Sequence, residues 1–163
     1  MNKKESFITA IKNNEGIIYK IASLYTNDVH DKDDLVQEII YQLWKSFDSF
    51  DQRSALSTWM YRVSMNVAIY HLKISKRKVV TVPLDEQFSD LPEAVNPGWE
   101  EKMAVFRQHL NNLNLLDKGI VMLYLENKSY EEIAQITGIS ETNVGTRIFR
   151  IKEKLKNQIT KQF

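Results

Sequence analysis

The 163-residue sequence contains no cysteine, which excludes disulfides and thiolate metal sites and agrees with a reducing compartment. It has only five glycines and no glycine-rich phosphate loop. Its three prolines, Pro83, Pro92 and Pro97, fall in one short stretch. Three histidines, His30, His71 and His109, sit in unrelated segments without metal-ligand spacing, and no Ser/His/Asp order points to a nucleophile. No apolar run approaches the roughly 20 residues needed to span a bilayer, and the first residues, MNKKESFITAIKNNEG, lack the apolar core of a signal peptide. A soluble, cytoplasmic protein without membrane insertion is expected, with no enzymatic activity, cofactor or metal. Net charge is only +1, so any nucleic-acid binding must come from local patches. Hydrophobic content of 43% and aromatic content of 10% suffice for packed cores.

The most informative stretch is Ser129 to Lys156. Ser129 and Glu132 have capping-box spacing, so a helix is expected from Tyr130, burying Ile133, Ala134 and Ile136. Gly138 supplies a left-handed helix end, and Ser140 caps a second helix whose apolar positions are Val144, Ile148, Ile151 and Leu155. The pair reads as a helix-turn-helix. On the second helix Asn143, Thr146, Arg147 and Arg150 share one stripe, continued by Lys154. From Arg147 to Phe163 six basic residues oppose Glu153 alone. Amide, hydroxyl and guanidinium groups on such a stripe suit base edges and phosphates of a major groove. The plainer alternative is a solvated basic helix.

Earlier in the chain, residues 4–26 read as two helical pieces broken at Asn13–Gly16, with Phe7, Ile8 and Ile11 on the first and Ile18, Ile21, Ala22 and Tyr25 on the second. Residues 31–47 carry Asp31, Asp33 and Asp34 where negative charge favours a helix start. Val36, Ile39, Ile40, Leu43, Trp44 and Phe47 form the apolar face, while Asp34, Gln37, Glu38, Tyr41 and Lys45 line a polar one. A short polar connection, residues 48–56, leads into a long helix over Ser57–Ser75 expected to bury Trp59, Met60, Val63, Val67 and Tyr70. Its other side offers Tyr61, Arg62, Asn66 and Lys73, followed by the basic run Lys76, Arg77 and Lys78; aromatic and basic groups together suit single-stranded nucleic acid. Residues 79–98 are acidic, contain every proline and lack periodicity, as expected of a flexible linker. Beyond them Trp99, Met103, Phe106 and Leu110 share a stripe, and Leu115–Leu125 reads as a buried helix after a break near Leu113–Leu116. The expected architecture is all-α: two small helical domains, residues 1–78 and 99–163, joined by residues 79–98, the second a four-helix unit.

Together these segments resemble the extracytoplasmic-function (ECF) group of bacterial sigma-70 family factors. Asp33–Glu38 (DDLVQE) is similar to that family's region 2.2, Ser57–Arg62 (STWMYR) with Asn66 to regions 2.3–2.4, and Ser129–Ala134 (SYEEIA), Gly138–Ser140 and Thr146–Arg150 (TRIFR) to region 4.2. Three motifs in the right order over nearly the whole chain make the resemblance specific.

The resemblance implies a promoter-specificity subunit that binds core RNA polymerase through the β′ clamp helices and the β subunit. Asp34, Gln37, Glu38 and Tyr41 would face the clamp helices. Phe50, Ser54, Ala55 and Leu56, with Asn66, would capture a flipped base of the non-template −10 element, and Tyr61, Arg62, Lys73 and Arg77 would hold its strand. Ser140, Thr142, Asn143, Thr146, Arg147, Arg150 and Lys154 would enter the −35 major groove of promoter DNA. It further implies control by a separate anti-sigma factor, with no appended regulatory domain. One departure stands out: Gly145 occupies a position where the family often carries Lys or Arg. The competing reading is a stand-alone helix-turn-helix regulator that dimerises through its N-terminal domain.

Overall fold

A computed structural model describes residues 2–78 and 108–162, with side chains over 2–74 and 108–158. The expected linker 79–98, the stripe Trp99–Phe106 and the side chain of Arg77 lie outside the described residues. The chain divides into two compact units, Met1–Pro83 and Leu84–Phe163. Every regular element among the described residues is helical.

The first unit holds α1 (Lys3–Tyr25), α2 (Val29–Ser46), a single 3-10 turn (Phe47–Ser49) and α3 (Leu56–Lys78), each helix packed on the other two. The expected break in the first segment is a kink within one helix: Asn14 leaves helical geometry (φ −132°, ψ 19°). Its side-chain amide donates to the Ala10 carbonyl at 2.9 Å, one turn earlier. At the start of α2 the Asp28 carboxylate accepts from the Asp31 N–H at 2.7 Å, so Asp28 is the cap and the aspartates after it occupy the first turns. Ile18, Ile21, Ala22, Leu35, Ile39, Leu43, Met60, Met65 and Ala68 form the core, and each large one removed from water contributes about 1.5–3 kcal/mol.

The second unit contains helical residues 108–111, then α4 (Leu115–Leu125), α5 (Tyr130–Thr137) and α6 (Glu141–Gln162). The break expected near Leu113 is closed by Asn114, whose side chain accepts from the Asp117 N–H at 2.8 Å and caps α4. α4 ends at Leu125 with Glu126 as its cap, and Asn127 in the turn beyond takes the left-handed conformation (φ 64°) that asparagine tolerates better than most residues. Ile120, Leu123, Ile133, Ile136 and Val144 are fully enclosed, and Leu113, Val121 and Ile151 extend the packing.

Candidate nucleic-acid and polymerase interfaces

The helix-turn-helix forms from local signals. The Ser129 hydroxyl accepts from the Glu132 N–H at 3.1 Å while the Glu132 carboxylate accepts from the Ser129 N–H at 3.4 Å, completing the capping box of α5. Gly138 ends α5 at φ 81°, and its N–H bonds the Ala134 carbonyl at 2.8 Å. Two residues later the Ser140 hydroxyl accepts from the Asn143 N–H at 3.1 Å and caps α6. That oxygen's first role is therefore to start the helix. Val144, Ile148 and Ile151 are buried, turning Thr142, Thr146, Arg150 and Lys154 to solvent, with Asn143 half-buried. The Thr146 hydroxyl donates to the Thr142 carbonyl at 3.1 Å.

Arg147 departs from the expected stripe. Its Nη1 donates to the Asp117 Oδ1 at 2.9 Å, and its Nε is buried. It faces α4, because it lies on the edge of the stripe nearest the buried face of α6. The outward surface instead includes Phe149, 67% exposed beside Arg150. The sequence signal for it was phase: Phe149 falls between the buried positions Ile148 and Ile151. An exposed ring there suits the methyl group of thymine.

In the first unit, Asp34, Gln37, Glu38 and Tyr41 are all exposed on α2. The Glu38 carboxylate accepts only from the Gln42 side chain, at 3.2 Å, and pairs with no cation among the described residues. Burial, repulsion by Asp28 and, more weakly, repulsion by Asp34 push the Asp31 carboxyl above its ordinary value, against the opposing pull of His71.

The connection between α2 and α3 is seated by aromatic rings. Phe47 meets Phe7 edge-on at 5.3 Å, and Phe50 lies 5.1 Å from Trp59 at a 33° tilt. Beyond Phe50 the chain turns through Gln52 (φ 63°) and exposes Ala55, while Ser54 and Leu56 are half-buried. On α3, Arg62, Asn66 and Lys73 form an exposed row. Two tyrosines exchange the places expected of them. Tyr61, expected on a DNA strand, is 3% exposed and belongs to the core; Tyr70, expected in the core, is 66% exposed. The inward face of α3 is centred on Met60, Ser64, Met65 and Ala68, and the small Ser64 and Ala68 let the other helices approach closely. Tyr70 instead lines a groove of about 650 Å³ between α2 and α3, together with Glu38, Gln42, Asn66, Val67, His71 and Ile74. Glu38 and Asn66, expected to meet different partners, border this one groove. Among the described residues no three His, Asp or Glu side chains converge as metal ligands, and no helix is long and apolar enough to cross a membrane.

A three-helix unit with a charged row on α2 and a second unit built on a capped helix-turn-helix are the architecture of a helical, DNA-binding class of protein, and the comparisons with known proteins give the family. The Sigma-70 region 2 family model matches residues 10–78, and that of Sigma-70 region 4 matches residues 105–155. The chain is 33% identical over 155 residues to the ECF RNA polymerase sigma-E factor of Escherichia coli K12, covering 86% of this chain and 81% of that one. It is 28% identical over 167 residues to the RNA polymerase sigma factor SigV of Bacillus subtilis, covering 99% and 98% respectively. Two solved structures share its fold: CnrH in complex with the cytosolic domain of CnrY (TM-score 0.68, 19% identity, covering 98% of this chain and 91% of that one), and the sigma factor RpoE in complex with the anti-sigma factor NepR from Bartonella quintana (TM-score 0.63, 20% identity, 96% of each). The chain belongs to the ECF group of the sigma-70 family and acts as an RNA polymerase sigma factor in transcription initiation.

Proposed function

We propose a division of labour between the two units. The first holds core polymerase by docking the row Asp34, Gln37, Glu38 and Tyr41 against the β′ clamp helices. The connection Phe50–Leu56 and Asn66 capture a flipped base of the non-template −10 element, and Arg62 and Lys73 hold the strand. Melting becomes favourable because an unstacked base regains stacking and polar contacts in a protein pocket. The second unit, which also touches the β subunit, inserts α6 into the −35 major groove. Thr142, Thr146, Phe149 and Arg150 meet base edges, and Lys154 meets phosphate, adding salt-dependent affinity.

The observation that carries this reading is the exposed Glu38, which pairs with no cation among the described residues, within its acidic-amide row. A dimerisation face would present apolar surface, so the row also counts against a stand-alone regulator. The protein itself catalyses no reaction and works in the cytoplasm. Regulation by a separate anti-sigma factor is supported by the anti-sigma complex solved for a structural neighbour. Mixing the full chain with core polymerase and a fork-junction promoter tests the proposal. Co-elution and a run-off transcript are expected; duplex binding without either would overturn it.

A further inference from the structure

The inward turn of Arg147 assigns a role to a residue that no motif marks. At about 100° per residue, Arg147 lies roughly 70° from the centre of the buried face of α6, against roughly 130° for Arg150 and 170° for Thr146. From that flank it meets Asp117, thirty residues earlier in the chain, at 2.9 Å. Both side chains are largely withdrawn from water, with 30% of Arg147 and 19% of Asp117 exposed. The Arg147 Nε is buried with no hydrogen-bond partner among the described residues, so this edge of the guanidinium is turned into the unit. Asp117 itself is fixed: it stands in the first turn of α4, and its N–H is held by the Asn114 cap.

We infer that Asp117 is a positioning residue for promoter recognition: by pairing with Arg147 it fixes the rotation of α6 against α4 and so sets which side chains face the −35 duplex. The helix-turn-helix has apolar contacts to hold α6 down, but apolar contacts are non-directional and allow a helix to roll. A charge-assisted bond from the flank of α6 to a capped turn of α4 supplies direction. Rotation of α6 by a fraction of a turn would move Thr146 and Arg150 out of reach of base edges while leaving the basic surface intact. Arg147 is then a structural clamp, and the base-reading set is Thr142, Thr146, Phe149 and Arg150.

This inference rests on the reading that α6 enters the −35 groove, and the test separates the two. Holoenzyme of the full chain is used to select a preferred promoter duplex, and binding to that duplex and to a scrambled one is compared across salt concentrations for Asp117→Ala, Arg147→Met, the double variant and Arg150→Ala. The clamp requires both single variants to lower the preference for the selected duplex by roughly tenfold, the scale of one lost bidentate base contact. The double variant should be no worse than either single, and the salt slope should not change. Two results overturn it: a slope that falls by about 0.9 in Arg147→Met, the signature of a lost phosphate contact, or tighter binding of both duplexes by Asp117→Ala, the signature of an aspartate competing with DNA. Should Arg147→Met fail to fold, Arg147→Lys replaces it. A lysine retains the charge but not the planar fork, so the clamp requires lost preference at unchanged slope, whereas preserved preference overturns it. If Arg150→Ala discriminates as well as the parent, the groove reading falls and the inference with it. If only Asp117→Ala and Arg147→Met leave the preference intact, the inference alone falls.

Discussion

The ring of Phe50 lies 5.1 Å from that of Trp59, tilted by 33°, and this contact ties the exposed connection after α2 to the first turn of α3. Trp59 supports the connection from below, with Phe47 a second ring 6.3 Å away, whereas Phe50 is the last ring before the turn at Gln52. Trp59→Ala should lower the stability of the first unit by roughly 1–3 kcal/mol, since the ring is half-buried and touches two others. Phe50→Ala should cost less stability and lose more strand opening. Urea midpoints and permanganate reactivity of a −10 element measure the two effects; equal loss of opening with no stability difference would argue against this ranking.

Glu38→Lys places a cation in the acidic-amide row. Because Glu38 is exposed and, among the described residues, bonded only to Gln42, the substitution should change folding stability by no more than about 0.5 kcal/mol. Co-elution with core polymerase should be abolished. Retained co-elution would remove α2 from the interface.

Gly145 is the family departure with a structural reading. A Cβ built there would stand 3.4 Å from Tyr130 Cε2 and 3.7 Å from its Cδ2, ordinary contact distances. Alanine therefore fits, and Gly145→Ala should stabilise the second unit by up to about 1 kcal/mol through helix propensity. A lower urea midpoint would show that Tyr130 cannot yield and that the glycine is required for packing.

The raised pKa of Asp31 makes stability depend on pH in a defined direction. The folded chain holds this proton more tightly than the unfolded chain. Asp31 therefore subtracts stability as pH rises from its unfolded pKa through its folded one, and the loss is constant above that. Asp31→Asn should raise the urea midpoint relative to the parent more at neutral pH than in acid below the carboxylate range. A midpoint difference that does not vary with pH would count against this origin of the shift.

What could be read from sequence was what local chemistry determines. Ser129 with Glu132, Gly138 and Ser140 act within a few residues of themselves, so the helix-turn-helix was legible to the residue. Asn14 kinks α1 within the polar run Asn13–Gly16 that indicated an interruption. The long-range choices were not legible. α3 carries apolar residues on several faces, and large side chains such as Tyr70 outweighed the small Ser64 and Ala68 that in fact mark the packed side. Arg147 shares a stripe with Arg150 by spacing and lies nearer the buried face by phase, yet its partner, Asp117 on α4, stands thirty residues away and no local pattern marks it.

On α6 the atoms that build the helix and those that meet solvent are almost entirely separate sets. Ser140, Val144, Ile148 and Ile151 hold it, while Thr142, Phe149 and Arg150 point away from the unit. Substitution in the outward set carries little folding penalty, so target preference can be changed there while the scaffold stays the same. Arg147 is the exception: a replacement there reaches the scaffold and the preference in one step.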